Sequence, residues 1–218
     1  MLPPDEGPAD RSHYQSYKLR RIFYRQRPPL PGSEANETQE YRYIVMEMPW
    51  ERVKTISALK ASEVVRYKDI LKTVPYNPAR DAETFALVFN TILMTSPDPY
   101  RPITKEEAKI FGDGTFLTYA YGQPAGFAVL THEKDEGTQE NIGVIAGIGI
   151  MPKFRGRRFA IAFALGLLDW FKARGVSRLQ CEVYEHNDVS HRFITSLGFS
   201  EVGEMFLGRD QAEAKRIS

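Results

Sequence analysis

Hydrophobic and polar residues recur along this chain with two periods, one typical of strands and one typical of helices. The stretch 41–48 (YRYIVMEM) is rich in β-branched and aromatic residues and predicts a strand. Similar runs predict further strands at 69–76, 115–121, 125–132, 142–151 and 179–184. Between two of these runs, Gly122-Gln123-Pro124 is typical of a hairpin turn.

Helical spacing occurs between these strands. Asn77 followed by Pro78 predicts a helix start, because an Asn side chain caps the first turn and Pro is tolerated at its first position. Apolar residues follow at helical spacing: Ala82, Phe85, Phe89, Ile92 and Leu93. Thr104 and Glu107 form the pattern of a capping box, which predicts a short second helix. Residues 50–66 fit a helix and a strand equally well.

The predicted strand 142–151 carries three glycines, Gly143, Gly147 and Gly149, which is unusual for the interior of a strand. Glycine weakens a strand but permits a bulge or the close approach of a ligand to the backbone. The alternative is that these glycines make room for a helix packed on the sheet. A charged loop, 133–140, precedes the strand.

The composition is that of a globular protein: 218 residues, 42% hydrophobic and 26% charged. A net charge of +1 argues against a global attraction to nucleic acid or membrane, and no apolar run is long enough to cross a bilayer. Cys181 is the only cysteine, which excludes an intramolecular disulfide and suits a cytoplasmic protein. The polar, proline-bearing segment 1–17 is predicted to be disordered.

One local cluster departs from this charge balance. Residues 18–27 contain five cations and no acid: Lys18, Arg20, Arg21, Arg25 and Arg27. One interpretation is a patch for nucleic acid or an acidic substrate, which would suit an RNA-associated enzyme. The other is a solvated strand or arm whose aromatic residues, Phe23 and Tyr24, pack on the domain. The balanced overall charge favours the second interpretation.

The segment 150–160 (IMPKFRGRRFA) joins a predicted strand to a predicted helix, 159–174, that ends before Gly175. Backbone N–H groups at a helix start are unpaired, and the helix dipole favours negative charge there. The segment adds four cations: Lys153, Arg155, Arg157 and Arg158. We therefore expect this turn to hold a phosphorylated cofactor.

Together with the residues that follow it, this turn resembles the acetyl-CoA motif of the GCN5-related N-acetyltransferase (GNAT) superfamily. That motif reads P-x-[YF]-R-G-x-G-x-[GA] and is followed by a strand, an Asn and a short helix ending in Leu-Gly-Phe. The residues in register are Pro152, Phe154, Arg155, Gly156, Ala160, Asn187, Gly198 and Phe199. The resemblance covers about residues 67–206, and the combined spacing is more specific than the turn alone.

The resemblance implies an α/β fold: a mixed, mostly antiparallel, twisted sheet with helices on both faces and a splayed central pair of strands. It divides the chain into an N-terminal extension 1–66, an acetyltransferase-like domain 67–208 and a C-terminal tail 209–218. The extension would add strands to the sheet or contact a partner. The strand 142–151 would separate from its neighbour and pair with pantetheine.

Acetyl-CoA is the cofactor that the resemblance implies. The predicted binding residues are Ile150, Met151, Phe154, Arg155, Gly156, Arg157, Arg158, Phe159, Ala160 and Asn187. A backbone N–H near Ile150 or Met151 would stabilise the oxyanion, and Asn187 would bind pantetheine or cap the following helix. The family has glycine where this chain has Arg158, and glycine lets backbone come close to phosphate. We still expect binding, because four cations remain at a helix start.

The sequence offers fewer candidates for proton transfer than for cofactor binding. The strand 142–151 lacks the Glu that many family members have there. Glu182 lies five residues before Asn187, and a Glu at that offset is the base in ribosomal-protein alanine acetyltransferases. Glu182 is therefore the candidate base, and a solvent-facing Glu on an edge strand is the alternative. Ile194 replaces the family's acid Tyr and cannot donate a proton. No metal site is expected, because no His and Cys residues have ligand spacing.

The sequence thus predicts a CoA-dependent N-acyltransferase that transfers an acetyl group from acetyl-CoA directly to a primary amine. By resemblance, acceptor contacts would come from the loop 95–103, with Asp98 and Tyr100, from the charged loop 133–140 and from the C-terminal segment. The alternative is a non-catalytic acyl-CoA-binding or interaction module, which Arg158 and Ile194 favour. The expected partners are acetyl-CoA and an amine, without membrane or nucleic acid, and a homodimer stays open.

Overall fold

The computed structural model describes residues 41–135 and 137–207. Within these ranges seven strands form one sheet: β1 (Tyr41–Pro49), β2 (Leu71–Pro75), β3 (Thr115–Ala120), β4 (Gln123–Lys134), β5 (Asn141–Ile150), β6 (Arg178–Tyr184) and β7 (Ser200–Leu207). Seven α-helices accompany them: α1 (Trp50–Leu59), α2 (Ala61–Tyr67), α3 (Pro78–Met94), α4 (Lys105–Ala108), α5 (Phe159–Gly166), α6 (Leu168–Lys172) and α7 (Asp188–Ser196). The predictions for 1–17, 18–27 and 209–218 concern residues outside the described ranges.

The strand order is β2-β3-β4-β5-β6-β1-β7. Every neighbouring pair in this order is antiparallel except β5 and β6, which are parallel. The predicted mixed, mostly antiparallel sheet is therefore confirmed. β1 lies between β6 and β7, with Met46 opposite Cys181 on one side and Glu201 on the other. The N-terminal segment thus adds a strand to the interior of the sheet, which was one of its two predicted roles.

Helices cover both faces of the sheet, because side chains along each strand alternate between the faces. On one side, called the α3 face, Phe85 and Phe89 of α3 pack with Phe127 of β4. On the other, called the α5 face, the rings of α5 and α6 pack with Leu130 of β4 and Leu179 of β6. Within the described ranges, no helix combines the length and the apolar character needed to span a lipid bilayer.

Local helix signals lie where the sequence predicts them. Asn77 Oδ1 accepts from the N–H of Ala79 at 3.0 Å, with Pro78 as the first residue of α3. The Thr104 side chain accepts from the N–H of Glu107 at 3.2 Å, and the Glu107 carboxylate accepts in return from the N–H of Thr104 at 2.9 Å. Both caps are confirmed. The ambiguous stretch 50–66 is helical, forming α1 and nearly all of α2.

The hairpin turn between β3 and β4 is one residue earlier than predicted. It consists of Tyr121 and Gly122, with φ of 52° and 74°, while Gln123 and Pro124 belong to β4. Two positive φ angles are typical of the two-residue turns that match strand twist. The sequence missed this position, because a Tyr in the left-handed region is uncommon.

Candidate active site

The strands β5 and β6 separate partway along their length. They pair over four residue pairs, ending at Ile145 and Cys181. Beyond that point, the described residues of β5 up to Ile150 and of β6 up to Tyr184 form no pairs with each other. The predicted splayed central pair is confirmed, and a gap opens between the C-terminal ends of the two strands.

Two glycines of β5 make room for helices on opposite faces. A Cβ added to Gly143 would lie 2.5 Å from a ring atom of Phe171 in α6. A Cβ added to Gly149 would lie 2.5 Å from Ile92 Cγ2 in α3. Packing of helices on the sheet therefore accounts for glycine at these two positions, as in the alternative drawn from the sequence.

The last backbone N–H groups of β5 and the following residue point alternately toward β4 and toward the gap beside β6. The N–H of Met151 donates to the carbonyl oxygen of Ala125 at 2.8 Å and so faces β4. Because successive N–H groups of a strand point to opposite edges, the N–H of Ile150 points into the gap beside β6. Of these two predicted oxyanion-binding groups, the N–H of Ile150 is the one on the side of the gap.

The turn after β5 is held in place by two buried rings. Phe154 is 6% exposed and Phe159 is 2% exposed, so only their backbone can reach a ligand. Their ring centroids are 6.3 Å apart. Between them, Gly156 and Arg158 adopt left-handed conformations with φ of 76° and 58°. The chain thus reverses twice within a few residues before α5 begins.

This turn presents unpaired donors. No carbonyl group of the described residues accepts from the backbone N–H of four of its residues: Gly156, Arg157, Phe159 and Ala160. A Cβ added to Gly156 would meet no atom within 4 Å, so the turn is open on that side. Arg157 is exposed beside these donors. Converging N–H groups at a helix start next to a cation fit an anion such as a diphosphate.

The side chain of Arg155 is directed to the protein. Its Nε donates to the carbonyl oxygen of Ile150 at 3.0 Å, and its Nη2 donates to Oγ1 of Thr95 at 2.9 Å. Thr95 ends α3. Arg155 therefore ties the turn to the last residue of β5 and to the end of α3, at the mouth of the gap.

Both the oxygen and the nitrogen of the Asn187 side-chain amide form hydrogen bonds. It is 5% exposed and caps α7, with Oδ1 accepting from the N–H of Ser190 at 3.1 Å. Its Nδ2 donates to Oγ of Ser96 at 3.2 Å and to Oδ2 of Asp98. The capping role is therefore present, and the rest of the amide holds the loop that follows α3.

Asp98 belongs to the loop after α3, and its partly buried carboxylate lies near the end of β6, where it bonds Asn187. Burial raises its pKa, while the hydrogen bonds from Ser96 and Asn187 act in the opposite direction. Tyr43 and Tyr184 lie beside it, with ring centroids 5.5 Å apart. Burial raises the pKa of both tyrosines, and the negative charge of Asp98 raises it further. The loop after α3, β1 and β6 thus meet here.

Glu182 lies one residue beyond Cys181, the last residue of β6 that pairs with β5, and it pairs with Val45 of β1. It is partly buried, and its charge adds to the rise in the pKa of Tyr43. Because β6 is an interior strand, the edge-strand alternative for Glu182 does not describe its position. Ile194 packs against the core on the α5 face.

The sequence did not name three groups around this site. Thr95 and Ser96 lie in the loop 95–103, from which acceptor contacts were expected, but only Asp98 and Tyr100 of that loop were named. Tyr43 lies in β1, outside the resemblance, and no pattern in the sequence indicates that β1 pairs with β6. Tyr41 and Tyr43 do alternate, which indicates that they share a face.

A separate apolar cavity underlies the point where β5 and β6 separate. It lies on the α5 face between the sheet and the helices, and residues lining it include Ile56, Ile145, Ile148, Leu168 and Leu197. All its lining side chains are apolar, so it has no group suited to a phosphate or an ammonium. The polar residues instead gather at the open end of the gap.

A family model described as the acetyltransferase (GNAT) family matches residues 83–199. Among similar solved structures, an acetyltransferase of the GNAT family from Streptococcus pneumoniae is 22% identical, with a TM-score of 0.50 over 61% of this chain and 86% of that one. An aminoglycoside N-acetyltransferase, AAC(6')-Iy, in complex with CoA is 19% identical, with a TM-score of 0.49 over 61% and 89%. A ribosomal-protein-alanine N-acetyltransferase from Brucella melitensis biovar Abortus 2308 is 18% identical, with a TM-score of 0.47 over 58% and 89%. No curated protein matches the chain. At 22% identity, the likeness to the Streptococcus pneumoniae structure bears on the fold alone.

Proposed function

The chain belongs to the acetyltransferase (GNAT) family, and on that premise we propose that it transfers an acetyl group from acetyl-CoA to a primary amine by direct attack. The observation that carries the proposal is the gap between β5 and β6, which opens beside a turn with four N–H groups that bond no carbonyl group in the described part of the chain. Transfer requires an amine and a thioester held close together, and such a gap provides a place for both.

The turn would hold the diphosphate of acetyl-CoA. Its N–H groups at 156, 157, 159 and 160 would donate to phosphate oxygens, and the exposed side chain of Arg157 would add a charge-assisted bond. Arg155 would act indirectly, because its guanidinium already bonds Ile150 and Thr95. Phe154 and Phe159 would fix the turn from below through their buried rings.

The end of β5 would stabilise the negative charge that develops on the thioester oxygen. The N–H of Ile150 points toward the gap, whereas the N–H of Met151 is used by Ala125. A fixed backbone donor of this kind needs no rearrangement during the reaction. We therefore assign the oxyanion contact to Ile150.

Direct transfer also needs a group that takes a proton from the attacking amine. Glu182, the residue that the resemblance indicates, lies just past the point where β5 and β6 part. Ile194 offers no proton to the leaving group. We propose that solvent protonates the departing thiolate, because a thiol with a pKa of about 8.5 is a tolerable leaving group.

We propose that the protein works in the cytoplasm, since Cys181, its only cysteine, is buried and unpaired. Acetyl-CoA and a small or macromolecular amine would be its partners. A net charge of +1 gives no reason to add nucleic acid to them.

Calorimetric titration of CoA into the wild-type protein and Arg157→Ala tests the cofactor site. We expect Arg157→Ala to weaken binding about tenfold or more, because a hydrogen bond to a charged group contributes about 1.5–3 kcal/mol. Lys72→Ala is the matched control, since it removes one exposed cation from β2. Its affinity for CoA should equal that of the wild type.

Release of the CoA thiol in the presence of a panel of primary amines then tests transfer. Release that depends on the amine supports the enzyme. Absence of CoA binding by the wild-type protein would refute the proposal. Tight binding without transfer to any amine would favour the non-catalytic acyl-CoA-binding module instead.

A further inference from the structure

The segment 95–98 crosses the mouth of the gap between β5 and β6. At one end, Thr95 accepts from Arg155, which also bonds the carbonyl oxygen of Ile150 at the end of β5. At the other end, Ser96 and Asp98 accept from Asn187, three residues beyond the end of β6. An amine that enters the gap between the strand ends therefore passes this segment.

The carboxylate of Asp98 is held in one orientation. Ser96 Oγ and Asn187 Nδ2 both donate to the same oxygen, Oδ2. Asn187 is itself fixed, because it is buried and bonded to the N–H of Ser190. Its own backbone N–H is a third donor to the carboxylate. A carboxylate has about four acceptor positions, so beyond these three bonds it can still accept from an incoming group.

The surroundings of Asp98 favour a cation. Among the described residues, no Lys, Arg or His forms an ion pair with it. The titratable groups that face it are Tyr43 from β1 and Tyr184 from β6. Burial also raises the pKa of the Asp98 carboxyl group. A partly buried carboxylate without a protein cation is stabilised by a bound ammonium.

We propose that Asp98 receives the primary ammonium of the acceptor and takes its proton, and that Asn187 positions it for this step. The inference rests on the proposed function, names the acceptor class for it, and assigns the base to Asp98 in place of Glu182, the residue that the resemblance indicates. The acceptor is an aliphatic amine, since an amine that is already neutral gains nothing from a carboxylate.

The step balances as follows. The ammonium gives one proton to Asp98, which becomes a carboxylic acid. The freed nitrogen lone pair forms the bond to the thioester carbon, the carbon–sulfur bond breaks, and its electron pair leaves with sulfur. The nitrogen loses its second proton through solvent to the thiolate. Asp98 then returns its proton to solvent, and the products are an amide, a thiol and one released proton.

Asp98→Asn is the decisive variant, because an amide oxygen can still accept from Ser96 and Asn187. We expect kcat/KM for an aliphatic amine to fall about 100-fold or more, the usual contribution of a general base. The acidic limb of its pH profile should disappear, while the affinity for CoA stays that of the wild type. Asp169→Asn, an exposed carboxylate on α6, is the matched control and should leave kcat/KM unchanged.

Asn187→Ser tests positioning separately from folding. Serine is a good helix cap, so α7 keeps its first-turn bond while the donor to Asp98 is lost. The bond from Asn187 lowers the pKa of Asp98. Its removal should therefore raise that pKa and shift the acidic limb to higher pH, with kcat reduced more than KM is raised. A purely structural role would leave the limb in place.

A measurement without acetyl-CoA completes the test. The 13C signal of the Asp98 carboxyl group, followed with butylammonium, should shift on binding and should titrate above the ordinary range of an Asp. A wild-type protein that transfers acetyl groups while Asp98→Asn keeps its activity and pH profile would overturn this inference alone. The inference would also be overturned if Glu182→Gln lost acetyl transfer while Asp98→Asn kept it. If the wild type transfers no acetyl group to any amine, the proposed function fails. A 13C signal of Asp98 that does not shift with butylammonium would then refute the ammonium site as well.

Discussion

At the scale of single residues, the turn before α5 depends on two left-handed positions, Gly156 and Arg158. The resemblance has glycine at both, and the sequence suggested that glycine there serves close approach to phosphate. The structure gives a second reason, since Arg158 has a φ of 58°. A residue other than glycine in this region costs about 1–2 kcal/mol. The turn therefore carries a backbone strain that the motif alone does not reveal.

Gly156→Ala should lower the free energy of unfolding by about 1–2 kcal/mol. No atom lies within 4 Å of the added Cβ, so the cost comes from its φ of 76° alone. Urea unfolding followed by circular dichroism measures the change.

Gly166→Ala is the matched control in the same helix region. Its added Cβ also meets nothing within 4 Å, but its φ is not positive. Alanine should therefore raise the free energy of unfolding by up to about 1 kcal/mol. Equal shifts in the two variants would contradict the assignment of strain to the turn.

At the scale of elements, the sequence predicted what local chemistry decides. The caps at Asn77 and Thr104 are correct to the residue, because each depends on atoms within one helical turn. The hairpin between β3 and β4 was found but misplaced, since its turn uses a Tyr in an uncommon conformation. Residues 50–66 had no decisive period, so the sequence left them open, and they are helical.

The α4 capping box predicts a pH dependence of stability. The bond from Arg101 and the N–H of Thr104 lower the pKa of Glu107 to about 2, from an ordinary value of 4.5. A lowered pKa contributes stability above the ordinary value, and this stability is lost as pH falls from about 4.5 toward 2. Glu107→Gln should therefore be less stable than the wild type at pH 6, and the difference should shrink toward pH 2.

Urea unfolding of both proteins between pH 6 and pH 2 measures this difference. Subtracting the two curves removes the contribution of other carboxyl groups with lowered pKa values, such as Asp81 and Asp135. Glutamine retains the capping pattern, so the comparison isolates the charge. A difference that stays constant over this range would show that Glu107 does not titrate as its contacts imply.

At the scale of the whole molecule, the parts of the site that the sequence could not predict are those made by distant segments. Ile150 and Asn187 were named from the motif, whereas the contact between Asn187 and Asp98 joins residues 89 positions apart. The position of β1 is the extreme case: Tyr43 lies opposite Tyr184 on one side and Met205 on the other. The hydrophobic pattern of a single strand does not identify the strands it pairs with, because pairing depends on packing within the whole folded sheet.

The position of β1 gives the last prediction. A chain that begins at residue 67, where the resemblance starts, lacks the strand that joins β6 to β7. It also loses buried side chains, including Tyr43, Val45, Met46, Met48 and Val53. At about 1.5–3 kcal/mol each, their loss is comparable to the whole stability of a domain, about 5–15 kcal/mol.

We therefore expect the chain from residue 67 to show no cooperative thermal transition and poor dispersion of its amide proton signals. A chain that begins at residue 40 keeps every contact described for β1 and α1, and it should unfold cooperatively. Cooperative unfolding of the shorter chain would instead establish residues 67–208 as an independent domain and β1 as an accessory strand. The two chains thus decide whether the site at the end of β6 can exist without Tyr43, since both the sheet and the surroundings of Asp98 include that residue.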